Sequence, residues 1–214
     1  MLFNSYVFIF AFLPLTLAGF FILGRIKPLL AAAWLTAASL FFYGWWNPVY
    51  VWLLALSSCF NYACGMAIAR AGARGRKKRL LVFSVASNLG VLAYFKYANF
   101  FVASIGHLAG APLSFGEIVL PLGISFFTFT QIAFLADAYY GKAREYNFVH
   151  YSLFVTYFPH LIAGPVLHHA EMMPQFQKAA TYRFNFENAS VGLTIFVIGL
   201  FKKVIIADGI GAYA

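Results

Sequence analysis

The side chains able to do chemistry crowd into one stretch of this sequence, Pro121 to Gln177. Ser125, Thr128 and Gln131 recur every three residues in Pro121-Leu-Gly-Ile-Ser-Phe-Phe-Thr-Phe-Thr-Gln131, and His150, His160, His168 and His169 follow. On a helix, at 100° per residue, the three polar residues share an arc of roughly 120°. Hydrocarbon offers no hydrogen bonds, so such an arc must face neighbouring helices or a wet cavity. Interhelical ties are the plain reading and a polar passage is the functional one. His160, between Pro159 and Leu161, suits general-base or hydrogen-bonding work near neutral pH. Its structural alternative is a ring that bonds backbone carbonyls freed at a helix break. His168, His169 and Glu171 resemble metal ligands, but adjacent residues diverge by 100° on a helix and helical zinc patterns space their histidines four apart. No metal site is expected. The chain also has no nucleophile elbow, phosphate loop or dinucleotide fingerprint.

Composition says what must position these groups. The 214 residues are 63% hydrophobic, 20% aromatic and only 10% charged, with a mean hydropathy of +0.79, against roughly 25% charged residues in soluble domains. An all-α, polytopic transmembrane helical bundle is expected. The net charge of +9 lies in short loops between apolar spans, which signals topology and not a nucleic-acid partner. Cys59 and Cys64, five apart, point about 140° apart on a helix, so no disulfide joins them.

Apolar spans are expected at Asn4–Leu23, Leu29–Trp46, Val49–Ala69, Leu80 to about Tyr97, and Ile118–Tyr139. The first is followed by its charges, Arg25 and Lys27, and so reads as a retained anchor and not a cleaved signal peptide. Ala31, Ala32, Ala33, Ala37 and Ala38 let the second approach a neighbour closely. Tyr43, Trp45 and Trp46 end it in an aromatic belt before the Asn47-Pro48 turn. Lys96 is expected to snorkel to the interface, and Ser104–Glu117 reads as an external loop. Asp137 is expected in an interfacial ion pair with Lys142 or Arg144.

Val149–Leu167 is nearly long enough to cross but carries Pro159 and Gly164-Pro165, so it either crosses or enters and returns as a broken, re-entrant segment. Such a break at membrane depth must be buried in protein or line a cavity. Arg183–Asn188 resembles an interfacial linker, and Ala189 opens a further apolar helix that reaches Lys202, Lys203 and Asp208. With no loop or tail after it, the sequence reads as part of a larger protein.

Four motifs then carry a resemblance: Pro121 to Gln131, Phe95-Lys-Tyr97, Tyr157-Phe-Pro-His-Leu-Ile-Ala-Gly-Pro165 and Gly199-Leu-Phe-Lys-Lys-Val-Ile-Ile-Ala-Asp208. With Phe41-Phe-Tyr-Gly-Trp-Trp-Asn-Pro48, they resemble the N-terminal half of bacterial membrane-bound O-acyltransferases (MBOAT), nearest the alginate O-acetyltransferase-like branch. The resemblance covers essentially the whole chain, read as residues 1–214 of one membrane domain. It implies transfer of an acyl group from acetyl-CoA or an acylated carrier, used as a substrate with no bound cofactor. The acceptor it implies is an exported or cell-surface polysaccharide. The implied partners are an extracytoplasmic acetyltransferase or polysaccharide-synthesis proteins in the bacterial inner membrane. The family's catalytic histidine lies in the second half of its members and none of these five histidines matches it, so the 214 residues alone are expected to be inactive. Ser125, Thr128, Gln131, His160 and His168 are left as substrate-binding or tunnel-lining candidates. A transporter or flippase for a lipid-linked sugar or acyl carrier shares the composition but couples through paired intramembrane charges, which are scarce here. A non-catalytic scaffold has no need of the broken segment.

The loops with Arg25 and Lys27, with Arg70 to Arg79, and with Lys142 and Arg144 all fall on one side, which the positive-inside rule makes cytoplasmic. The N-terminus is then extracytoplasmic. A single cysteine replacing Ser5 should react with an impermeant thiol reagent applied outside, and one replacing Gly75 should not; the reverse pattern overturns this topology.

Overall fold

The computed structural model describes residues 1–108, 118–142, 147–161 and 169–211. Within them every regular element is helical. A π-helical turn, Phe8–Phe12, leads into α1 (Leu13–Ile26), and α2 (Pro28–Gly44), α3 (Val49–Arg70), α4 (Arg74–Leu108) and α5 (Ile124–Tyr139) follow. After these come the short helices α6 (Phe148–Thr156), α7 (Phe158–Leu161) and α8 (His169–Gln177) and a 3-10 turn, Ala179–Tyr182. Last is α9 (Phe186–Phe201), continued by a π-helical stretch, Lys202–Ala207, into α10 (Asp208–Gly211). Four helical runs are long and apolar enough to cross a membrane: Phe8–Ile26, Val49–Arg70, Arg74–Ile105 and Phe186–Gly211.

Local chemistry sets the ends. Pro28 opens α2, where its fixed φ and missing N–H cost nothing. The Asn47-Pro48 turn forms as expected, and the Asn47 Oδ1 accepts from the Val49 N–H at 3.0 Å. Asn147 caps α6 and Asn185 caps α9 in the same way. Several boundaries differ from expectation. Helix α4 begins at Arg74 and not at Leu80, so most of the Arg70–Arg79 run is helical, and α9 begins at Phe186, inside the expected Arg183–Asn188 linker. The fourth helix does not stop near Tyr97, because nothing between there and Leu108 breaks it. The fifth starts only at Ile124: Pro121 lacks a donor and Gly123 adopts φ +69°, so residues 118–123 are not helical. With 16 residues, α5 is about 24 Å long, short of a roughly 30 Å hydrocarbon core. It tolerates this by being enclosed. Ile124, Phe127, Phe134, Leu135 and Ala138 are all buried among α3, α4 and α6.

Neighbouring helices give the path of the chain. Trp34 Nε1 donates to the Thr16 carbonyl at 3.0 Å, pairing α1 with α2. Ala31 and Ala32 of α2 are fully buried, Ala38 nearly so, and Ala37 is exposed, so the alanine face is narrower than expected. Gly65 brings α3 against α5, because a Cβ there would sit 2.4 Å from the Phe134 ring. These contacts place the ends near Arg25, Arg70 and Lys142 together, a basic side of the bundle.

From that side α6 rises beside α5, with the Tyr151 and Phe134 rings 4.6 Å apart. Helix α7 ends at the head of α5, where the Leu161 carbonyl lies 2.7 Å from the Cβ position of Gly123. The chain is next described at His169, whose ring is 5.6 Å from Phe134, eleven residues or about 16 Å back along α5. Helix α8 and the 3-10 turn then bring it to Tyr182, packed on Gly24 and Phe20 at the basic end of α1. Of the two courses left open by the sequence, the described residues on either side fit entry and return, with Leu161 at the head of α5 and His169 back beside Phe134. Helix α9 finally runs antiparallel to α1, from Phe184 against Phe21 to Phe196 beside the Phe8 and Phe12 cluster.

The break in this hairpin falls at Tyr157 (φ −52°, ψ 107°), two residues before Pro159, whose ring in an unbroken helix would strike the Val155 carbonyl. Gly164-Pro165, expected to contribute, lies outside the described residues. At the other end of the hairpin, the Gly123→Ala substitution should force a left-handed backbone on a residue with a Cβ and push that Cβ into the Leu161 carbonyl. A loss of about 2 kcal/mol is expected. It should appear as a lower thermal midpoint in detergent, and an unchanged midpoint would contradict the contact.

Candidate functional site

The polar side chains of the bundle gather in two places. The first is a knot between α3, α4 and α5. Gln131 Oε1 accepts from Ser57 Oγ and from Asn61 Nδ2, both at 2.7 Å. Asn61 and Asn88 face each other as a reciprocal amide pair: Asn61 Nδ2 donates to Asn88 Oδ1 at 3.0 Å and Asn88 Nδ2 donates back at 2.6 Å. Each amide nitrogen also lies within hydrogen-bond distance of a carbonyl of its own helix, Ser57 for Asn61 and Ser84 for Asn88; with three acceptors around its two hydrogens, Asn61 shares one hydrogen between two of them. Those carbonyls can only accept, so they fix both asparagine amides, and Asn61 in turn obliges Gln131 to present its oxygen. The Gln131 Nε2, fully buried, has no hydrogen-bond partner among the described residues.

Thr128 lies one turn from Gln131, is 2% exposed, and helps line a cavity of about 270 Å³ with Leu53, Leu56, Ser57, Phe60 and Asn88. Ser125 is only half-buried. The expected arc of Ser125, Thr128 and Gln131 therefore faces protein most strongly at Gln131 and weakens toward Ser125. Asp137 is buried, and its carbonyl accepts from the Lys142 N–H at 2.8 Å; Arg144 lies outside the described residues. Lys96 is exposed, with its ammonium 5.5 Å from the Tyr97 ring centre.

The second place is the hairpin. The Phe158 N–H, released from helical pairing by the break, donates to Ser39 Oγ of α2 at 3.2 Å, while Ser39 Oγ donates to the Leu35 carbonyl at 2.7 Å. The Phe158 ring is held by Phe12 and Phe42, each with its centre 5.3 Å away. His160 is buried beside Tyr157, ring centres 5.9 Å apart, and its Nδ1 has no partner among the described residues. His168 lies outside the described residues. Gln131 and His160 are not brought together: Leu161 sits at the head of α5, and Gln131 is eight residues, about 12 Å, further along that helix. Two buried tyrosine hydroxyls, of Tyr43 and Tyr151, also lack partners.

Sequence reasoning missed Ser57 and Asn61. The signal was present as an i, i+4 pair of polar residues in an otherwise apolar span, but their shared partner Gln131 is 70 and more residues away, Asn88 is 27 residues from Asn61, and no local pattern announces either. Ser39, which satisfies the break, has no sequence signal at all. Both cysteines are free, as expected. Among the described residues no three His, Cys, Asp or Glu side chains converge as metal ligands.

Among the described residues, an all-helical bundle with four runs long and apolar enough to cross a membrane defines a multi-pass membrane protein. The chain belongs to the MBOAT, membrane-bound O-acyltransferase family, whose model matches residues 50–214. All of it aligns, at 40% identity, with 46% of a Helicobacter pylori protein named peptidoglycan O-acetyltransferase. All of it also aligns, at 40% identity, with 41% of the Pseudomonas aeruginosa protein named probable alginate O-acetylase AlgI. An Azotobacter vinelandii protein of the same name is 39% identical over 43% of its length. The chain thus spans less than half the length of these relatives. No solved structure is significantly similar to it.

If the amide pair holds α3 to α4, Asn61→Leu and Asn88→Leu should each destabilise the protein by about 1–2 kcal/mol, since each strands its partner. The double variant should cost less than the sum of the two. Strict additivity of thermal or denaturant unfolding would show that the two amides act separately.

Proposed function

We propose that the protein containing these residues is a membrane O-acetyltransferase that passes an acetyl group across the bilayer to a hydroxyl of an exported or cell-surface polysaccharide. The observation that carries the reading is end-to-end alignment of the chain with relatives named for O-acetylation of peptidoglycan and alginate. The geometry supports it. Acyl transfer through a bilayer needs a polar path inside an apolar bundle, and a re-entrant hairpin with a buried imidazole at its tip can form one wall.

In this reading residues 1–214 are the N-terminal part of one membrane domain in the bacterial inner membrane, with the N-terminus extracytoplasmic. The donor is acetyl-CoA or an acylated carrier, reaching the basic side. Extracytoplasmic acetyltransferases or polysaccharide-synthesis proteins are the partners. The segment Tyr157–Pro165, described as far as Leu161, walls the path, with Ser125, Thr128, Gln131 and His168 as further lining groups. His160 positions a substrate through its free nitrogen. The general base that takes the hydroxyl proton and the donors that stabilise the carbonyl oxyanion come from elsewhere in the protein, and residues 1–214 alone do not restore acetylation.

The test uses a deletion strain complemented with the longer protein. His160→Gln keeps a donor and an acceptor and should lower polymer acetylation about tenfold, the worth of one hydrogen bond of 1–2 kcal/mol. A loss on the order of a hundredfold to ten-thousandfold in a well-expressed variant would make His160 the base. Unchanged acetylation would make it structural.

A further inference from the structure

We propose that the cavity between α1, α2 and α8 is a site for a membrane phospholipid with an ammonium headgroup, a phosphatidylethanolamine of the leaflet on the basic side. The cavity measures about 480 Å³, within the roughly 300–1,000 Å³ of small-molecule sites. Its depth is right for a lipid. Phe21 lies five residues, about 8 Å, from the basic end of α1 at Ile26, so the mouth lies at headgroup level and the interior reaches into the acyl region.

Its lining matches an amphiphile. Leu17, Phe20, Phe21, Leu35, Met172 and Phe176 make apolar walls. Among the described residues the polar lining groups are Tyr157, Glu171, Gln175 and Thr181, and Glu171 is the only charged one. Thr181 is already committed, its hydroxyl donating to the Gln175 carbonyl at 2.5 Å. The Gln175 amide donates to the backbone carbonyl of Glu171 at 3.2 Å. The Glu171 side chain is exposed and makes no hydrogen bond or ion pair among the described residues.

A lone carboxylate at the mouth of an aromatic-walled cavity repels phosphatidylglycerol and any free polyphosphate, and attracts a primary ammonium, which the ring faces also favour. Lys178 and Arg183, both exposed, lie three residues from Gln175 and two from Thr181. They are within reach of the phosphate of the same lipid. A zwitterionic headgroup thus satisfies both signs of charge, with one acyl chain between Leu17 and Leu35. Tyr157 is shared by this cavity and His160, so an occupant would also brace the hairpin at its break.

The test is native mass spectrometry of the protein released from nanodiscs of equal phosphatidylethanolamine and phosphatidylglycerol, with retained lipid read by mass. The unsubstituted protein should retain phosphatidylethanolamine about fivefold over phosphatidylglycerol, the worth of one partly exposed ion pair with aromatic support. Glu171→Gln should bring the ratio near one with no change in thermal midpoint. Leu17→Trp, which fills the cavity, should abolish the preferred lipid. Equal retention, a preference for phosphatidylglycerol, or a preference that survives either substitution overturns the proposal.

Discussion

A single constraint organises the bundle: a backbone N–H or C=O at membrane depth must find a partner in the protein, because lipid supplies none. Pro159 violates helical pairing in the middle of an apolar segment, and the surrounding structure answers that violation. The Phe158 N–H turns to Ser39, which passes the interaction on to the Leu35 carbonyl. Without Ser39 an unpaired buried donor would cost about 1–3 kcal/mol. Phe12 and Phe42 fix the ring beside it, so the break is held at a defined place and angle. The hairpin can then return, and the short α5 is enclosed on the side where the hairpin rises.

The two polar regions differ in kind. In the knot nearly every donor and acceptor is used, and the reciprocal Asn61 and Asn88 amides orient each other without ambiguity. That is the behaviour of a fastening, and the unused Gln131 Nε2 is its one loose end. The hairpin is under-satisfied among the described residues, where His160 Nδ1 and the Tyr151 hydroxyl are buried without partners. Groups left open in this way are where a substrate or ordered water finds its hydrogen bonds.

How much of this could be read beforehand follows from the range of each interaction. The spans, the Asn47-Pro48 turn and the free cysteines depend on neighbours within a few residues and were legible. The family was legible because several short motifs recur in order. Helix α4 ran past its expected end because an aromatic and lysine pair marks an interface without breaking a helix, whereas α5 began late because Gly123 adopts a backbone that only its contact with Leu161 demands. The choice between crossing and re-entry turned on where His169 lands, a contact 35 residues from Phe134. The partners of Gln131 lie on α3, which no periodicity within α5 could name.

Helix α4 is also a mechanical object. Its 35 residues span about 52 Å, against a hydrocarbon layer of roughly 30 Å. Such a rod must lean or overhang, and the lean depends on the thickness of the surrounding lipid. The Asn88 amide sits near its middle and clasps Asn61, while Asn99 farther along holds the Ile118 backbone through both its amide atoms. A change in acyl-chain length would therefore act on this helix as a torque about the asparagine clasp, delivering the elasticity of the membrane directly to α3 and to the head of α5.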